Sequence, residues 1–399
     1  MGILLNRVAL IAALLAAGVS VAFGEAVSAV AAPARSASRL TYLYGVSCTS
    51  RAACTAFGYS DTAPPLTTSL AERWNGRKWV IQRTPNPRGS VFLYGVSCAS
   101  RSACAAVGYA EVPGTALLAE RWNGRKWAIQ RTPSPRGSAV LYGVSCIRSN
   151  ACTAVGFAGS SSLGHRSLAV RWNGRKWAIQ RTPNRSSPSG GTYLDGVSCA
   201  SRTACTAVGF VGDETIPEGD VSLAERWNGK NWVIQRTPDP PGTNNTNLNG
   251  VSCVSRTACT AVGYAANSTG VGAISLAERW NGRNWVIQRT PNPSGVGNDT
   301  TLSGVSCTSQ SACTAVGNSY NGVTGAITSL AERWNGAKWV IQQTFNLPGH
   351  DALFYGVSCA SGTACTAVGR FFSGGATGWT SLAERWNGTK WIRQHTPNP

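Results

Sequence analysis

Short apolar runs separated by polar turns recur along most of the chain, always in the same order. In the first copy, Leu43 to Cys48 reads as a strand and Cys54 to Tyr59 as a second, with Thr49 to Ala53 as the loop between them. Ser69 to Trp74 reads as a third strand and Trp79 to Thr84 as a fourth. Asn75-Gly76 lies between them, a hairpin signal because both residues tolerate positive φ. Side-chain alternation puts Leu70, Glu72, Trp74, Trp79, Ile81 and Arg83 on one face, and Ala71, Arg73, Val80 and Gln82 on the other. Fourteen of the fifteen tryptophans occupy the positions of Trp74 and Trp79, which assigns them to packing between sheets rather than to a sugar-stacking platform.

The unit occurs seven times. Its Gly-Val-Ser-Cys starts fall at Gly45, Gly95, Gly143, Gly196, Gly250, Gly304 and Gly356, a period of about fifty residues. Four antiparallel strands with a tight hairpin at each end make one propeller blade. The expected fold is therefore an all-β, seven-bladed propeller over residues 40–399, with blades at about 40–87, 90–135, 139–184, 192–240, 246–293, 300–347 and 352–399. A solenoid would need distinct polar caps, and the first and last repeats look like the others.

Cysteine usage adds a bridge to each blade. The pairs Cys48/Cys54, Cys98/Cys104, Cys146/Cys152, Cys199/Cys205, Cys253/Cys259, Cys307/Cys313 and Cys359/Cys365 all have five residues between them, which places the two sulfurs across the mouth of the first hairpin. Metal binding would prefer a closer spacing with further Cys or His nearby. His165, His350 and His395 share no repeat position, so no metal or cofactor is implied.

Residues 1–31 read as a signal peptide: Arg7 is the positive start, Val8 to Phe23 the apolar run, and Ala29-Val30-Ala31 the cleavage site. An uncleaved anchor is the alternative; after cleavage no membrane span is expected. Residues 32–39 read as a short lead-in. Disulfides and an export signal together point to a secreted, extracellular protein, associated with the cell envelope or free.

At these residues a resemblance appears. The third strand, the Asn-Gly turn, the Trp that follows Arg-Lys and the later Pro resemble the Asp-box (BNR) hairpin, with Asn75 where that family usually has Asp. The Ala-Val-Gly second strand resembles the repeats of photosystem II assembly-factor propellers. The cysteine-paired unit is similar to secreted actinobacterial repeat proteins of unassigned activity. The resemblance covers residues 40–399 and implies fold more than function. Some Asp-box propellers are sialidases, which use an arginine cluster, a Tyr nucleophile with a Glu partner, and an acid. Here the arginines are repeated rather than singular, and no unique Tyr–Glu pair stands out.

Four features carry candidate chemistry. The column before each Gly-Val-Ser-Cys holds Tyr44, Tyr94, Tyr142, Asp195, Asn249, Ser303 and Tyr355. With the first strand innermost, it forms a hydroxyl-rich collar near the channel mouth; the alternative is that tyrosine simply packs there. The second-to-third-strand connections, such as Ser60 to Thr68, Ala158 to Arg166, Val211 to Val221 and Arg370 to Thr380, vary freely and share one rim. Asp213, Glu214, Glu218 and Asp220 in the fourth blade are either a calcium loop or a solvated acidic one, and Phe371, Phe372 and Trp379 in the seventh either cover the blade or stack on a sugar. Glu72, Glu120, Glu225, Glu278, Glu332 and Glu384 repeat too often for a catalyst, and pairing with Arg83 or Arg77 would satisfy Glu72.

Charge supplies the fourth feature. Thirty-six Lys and Arg against seventeen Asp and Glu give a formal charge of +19. The tight-hairpin rim has no acidic residue, and its cations concentrate in the first three blades: Arg51, Arg77 and Lys78, then Arg101, Arg125 and Lys126, then Arg148, Arg175 and Lys176. Such a patch suits a polyanion, or it is a solvated basic face. The sequence thus reads as a monomeric, non-catalytic binding or scaffold propeller for an extracellular glycan or anionic polymer. A protein-binding scaffold is the next reading and a sialidase-like hydrolase the third; nothing points to specific nucleic-acid recognition.

Overall fold

The computed structural model describes residues 40–63, 66–112, 114–160, 164–184, 190–212, 219–267, 272–293, 298–372, 374 and 378–399. The signal-peptide and lead-in segments lie outside these residues, as do Asp213, Glu214 and Glu218. The chain is a seven-bladed β-propeller. Twenty-eight strands form seven four-stranded antiparallel sheets, each ordered as it occurs in sequence, and the described residues contain no helix.

In the first blade the strands are β1 (Thr41–Ser50), β2 (Ala53–Ala63), β3 (Leu66–Trp74) and β4 (Trp79–Gln82). The first three are longer than the apolar alternation predicts, because backbone pairing continues into the polar tip, where Asp61 still faces Thr67. The fourth is shorter. It ends at Gln82, before Pro85 (which has no amide to donate), and the Thr84 hydroxyl leaves the ladder to bond Ser69 O at 3.2 Å. The register confirms the predicted parity, with Trp74 opposite Trp79 and Glu72 opposite Ile81. No helix of the described residues is long and apolar enough to cross a membrane.

Each cysteine is bridged within its own blade, as Cys48–Cys54, Cys98–Cys104, Cys146–Cys152, Cys199–Cys205, Cys253–Cys259, Cys307–Cys313 and Cys359–Cys365. No described cysteine is free. The pairing and its place across the mouth of the first hairpin are as expected, with Cys48 opposite Cys54, but one half of each bridge is buried. Cys54, Cys104, Cys152, Cys205, Cys259, Cys313 and Cys365 are buried, only 2–3 % exposed, and their partners are half-buried. The reason is register. Each second cysteine stands opposite the last tryptophan of the third strand, as Cys54 does opposite Trp74, Cys152 opposite Trp172, Cys205 opposite Trp227, Cys259 opposite Trp280, Cys313 opposite Trp334 and Cys365 opposite Trp386. It therefore shares the tryptophan face and packs between blades. The bridges are core elements as well as staples. Seven of them suit an oxidising, extracellular environment.

The blades are joined by contacts that repeat with the sequence. The backbone amide of Cys98 donates to the Ser47 hydroxyl of the preceding blade, and Cys146 does the same to Ser97, Cys199 to Ser145, Cys253 to Ser198, Cys307 to Ser252 and Cys359 to Ser306, at 2.9–3.0 Å. Cys48 completes the circle by donating to Ser358 at 2.9 Å, which joins the last blade to the first. Further out, the third-strand arginine of each blade lies over a tryptophan of the next, from Arg73 over Trp122 round to Arg385 over Trp74, at 4.7–5.9 Å. The serine and arginine of the repeat are therefore the mortar of the ring.

The glutamate column behaves differently from expectation. All six carboxyls are fully buried between blades. Three of them accept hydrogen bonds from the preceding blade: Ser381 to Glu72 at 3.5 Å, Ser167 to Glu225 at 3.1 Å, and the Phe345 amide to Glu384 at 3.1 Å. Arg83 and Arg77 are exposed and do not pair with Glu72, because Arg83 lies beyond the end of β4 and Arg77 in the turn. Burial without a cationic partner pushes Glu72, Glu120, Glu225 and Glu332 up to about 8. These side chains sit in the seams as neutral acids.

Candidate functional site

The predicted collar is built on a backbone irregularity. In β1 the pairing with β2 jumps from Leu43 to Gly45, which leaves Tyr44 as an extra residue, a β-bulge. The same jump occurs in all seven innermost strands, so the bulged residues are Tyr44, Tyr94, Tyr142, Asp195, Asn249, Ser303 and Tyr355. Two glycines make room for it. A Cβ on Gly58, opposite the bulge, would lie 1.7 Å from Tyr42 O, and one on Gly45 would lie 2.6 Å from Tyr94 O of the next blade. Both glycines recur in every repeat.

The bulge turns these side chains toward their counterparts in neighbouring blades. Ring centroids are 4.5 Å apart for Tyr355 and Tyr44, 5.3 Å for Tyr44 and Tyr94, and 5.4 Å for Tyr94 and Tyr142. The four tyrosines form one arc across blades seven, one, two and three. All seven collar residues are half-buried, walled by protein yet reached by solvent. Tyr42, Tyr59, Phe92 and Tyr109 thicken the aromatic arc, with Tyr44 and Tyr59 hydroxyls 3.2 Å apart and Phe92 stacked on Tyr109 at 4.8 Å. Phe157, Tyr193 and Phe210 continue it into blade four.

Across the mouth the wall is polar. Asp195, Asn249 and Ser303 hold the collar positions, and Asn247 and Asn318 are buried beside them. The Asn249 side-chain amide donates to Leu302 O of the next blade at 2.8 Å. Burial raises the Asp195 carboxyl to about 7, opposed by a hydrogen bond from Asn247 and aided by Asp220. Burial likewise raises the phenols of Tyr44, Tyr94, Tyr142 and Tyr355, so the aromatic arc stays neutral across the physiological range.

Sequence reasoning missed one residue here. Arg370 follows the second-strand glycine, where the earlier repeats carry Tyr59, Tyr109, Phe157, Phe210, Tyr264 and Asn318. Its guanidinium is buried over Trp379 at 4.1 Å, and over Tyr42 and Tyr355 at 5.3 and 5.8 Å. Laying the repeats over one another at that column would have shown it as the one cation.

The seventh-blade aromatics divide. Phe371 is only 3 % exposed, stacks on His350 at 5.5 Å and lies under Arg393 at 4.1 Å. It belongs to the core and not to a ligand platform, because strand pairing extends through Phe372 and turns its side chain inward. Phe372 and Trp379 are half-buried, 5.3 Å apart, and Trp379 reaches the collar through Arg370. On the opposite rim Arg51, Arg77, Lys78, Arg101, Arg125, Lys126, Arg148, Arg175 and Lys176 are all exposed. Arg148 departs from the repeat, since in its blade Ser149 O accepts the Arg121 guanidinium, as Arg101 O accepts Arg73. No cluster of three or more metal-capable side chains occurs among the described residues.

No family model and no curated protein matches the chain in sequence. Solved structures do match in fold. YCF48 bound to D1 peptide aligns with a TM-score of 0.51 at 10 % identity, over 86 % of this chain and 92 % of that one. An ulvan lyase of a polysaccharide lyase family, bound to -[GlcA(1-4)Rha3S]-, aligns at 0.56 and 8 % identity, over 86 % of this chain and 94 % of that one. A GH74 xyloglucanase from Xanthomonas campestris aligns at 0.53 and 14 % identity, over 90 % of this chain but 55 % of that one. At these identities the likeness is one of propeller architecture.

Proposed function

We propose that the protein is a secreted, non-catalytic, monomeric binding propeller that recognises an extracellular or cell-envelope glycan at the mouth of its central channel. The observation that carries this reading is the one-sided collar. Tyr355, Tyr44, Tyr94 and Tyr142 form a neutral aromatic arc that suits the C–H face of a sugar ring, and Asn249 and Ser303 stand opposite for its hydroxyls. The exposed basic rim gives a second contact for a long anionic polymer. A sialidase-like activity would need a tyrosine paired with a glutamate, whereas the Tyr44 and Tyr59 hydroxyls bond each other and Arg370 lies over the Tyr355 ring. Neighbours in fold carry a peptide in one case and a saccharide in another, so the scaffold accommodates both classes, and the collar favours sugar. The test is a glycan panel together with pull-down against isolated cell-wall fractions, using wild type and Tyr94→Ala. The expected result is retention of a glycan by wild type and loss by the variant. Retention of a protein and no glycan would replace this reading with the scaffold one.

A further inference from the structure

The tight-hairpin side holds a recess that the channel mouth does not involve. It has a volume of about 510 Å³ and lies between blades four and five, with Arg226, Arg236, Arg256 and Arg283 in its lining and no acidic residue. That volume is in the range of small-ligand sites. Arg226 donates to Arg256 O at 2.6 Å and lies over Trp280 at 4.9 Å, so its guanidinium is held in place by backbone and ring rather than by a carboxylate. Burial, with a smaller contribution from Arg256, lowers its pKa. Arg236, Arg256 and Arg283 are exposed at the entrance.

Comparison with the other seams singles this one out. The same four repeat positions are all arginine in the seam between blades one and two, as Arg73, Arg83, Arg101 and Arg125. There, however, Lys78 and Lys126 end the turns, where blades four and five have Asn231 and Asn284. In the seam between blades five and six two of the four positions are Gln310 and Ala337. A full set of guanidiniums together with short turn residues thus occurs where the recess opens, and Asn284 lines it.

We propose that this recess binds an acidic oligosaccharide, its carboxylates held by the Arg236, Arg256 and Arg283 forks and a sugar face resting on the apolar Val233 and Ile234 side chains. Guanidinium forks match carboxylates two bonds at a time, and a recess of this size admits a short flexible chain while excluding a nucleic-acid duplex. The site stands apart from the channel mouth, so its fate does not decide the glycan reading given above.

The experiment titrates the full protein with tri-galacturonate, with maltotriose and sodium triphosphate as the neutral and charge-only controls. Three variants are compared: Arg256→Ala/Arg283→Ala, Lys338→Ala/Lys390→Ala in the exposed turns of blades six and seven, and Asn231→Lys/Asn284→Lys. The expected result is binding of tri-galacturonate alone, weakened at least tenfold by the first variant and less than twofold by the second. The third variant adds positive charge yet fills the recess, so it also weakens binding. Circular dichroism of all three verifies folding, which exposed positions tolerate. Equal losses from the first two variants, a gain from the third, no binding of tri-galacturonate, or triphosphate or maltotriose binding as tightly as tri-galacturonate would each overturn the proposal.

Discussion

The seams between blades and the mouth they surround are made from the same strands, yet one is uniform and the other is not. Every seam carries the same serine-to-amide bond and the same arginine over tryptophan. At the mouth, three residues before the seam serine on the same strand, tyrosine gives way to aspartate, asparagine and serine within half a turn of the ring. A position that only had to close the ring would gain nothing from such variety. The difference separates residues that build the propeller from residues free to specify a ligand.

Substitutions in the two regions should therefore fail in different ways. The largest effect is expected at the bulge glycines. Gly58→Ala places a Cβ 1.7 Å from a backbone oxygen that cannot retreat, and should leave no folded protein by circular dichroism. Next come the seam tryptophans. Trp79 is 3 % exposed, and Trp79→Ala should destabilise by roughly 3–5 kcal/mol in denaturant unfolding. Tyr94→Ala, by contrast, should move stability much less and remove glycan binding.

The buried glutamates sharpen the comparison through pH. The folded-state pKa values of Glu72, Glu120, Glu225 and Glu332, about 8, lie well above the ordinary Glu value, so between these two limits the folded chain holds protons that the unfolded chain has released. Stability is then fullest at or below about pH 4.3, falls as pH rises toward 8, and levels off above it. A thermal midpoint higher at pH 5 than at pH 9 is the expected outcome. Glu120→Gln, which has no carboxyl to ionise, should raise the midpoint at pH 9 and shallow the slope. Glutamates paired with arginine would give the opposite trend.

The finest contrast lies within the last blade. Phe371→Ala should lower the thermal midpoint as a core truncation does, while Trp379→Ala should leave it nearly unchanged and weaken glycan binding several-fold. Equal destabilisation by both would place Trp379 in the core as well.

The repeat period, strand order, bridges and tryptophan faces were legible because each follows from local alternation, turn chemistry or spacing. The depth of the bridges was not, since burial of Cys152 or Cys205 depends on the preceding blade covering the tryptophan face. The bulge left a trace that parity reasoning could have caught. Leu43 and Val46 are both buried, yet they stand three apart, an odd step in a structure of period two. The glutamate partner was not legible. It lies in the preceding blade, so only the stacking of blades brings Ser381 to Glu72. The same holds for Arg370, whose meaning depends on Trp379 and Tyr355 arriving from different strands.

The central claim is that the aromatic half of the mouth, and not the seams, holds the ligand. It is tested most directly by titrating the best glycan from the panel into Tyr94→Ala/Tyr142→Ala and into Ser47→Ala/Ser97→Ala, with thermal midpoints measured on the same samples. The collar pair should lose binding by at least tenfold with a midpoint close to wild type. The seam pair should lose about 1 kcal/mol of stability per hydrogen bond and keep its affinity. Unchanged affinity in the collar pair, or loss of affinity that only follows loss of stability in both, would contradict the account.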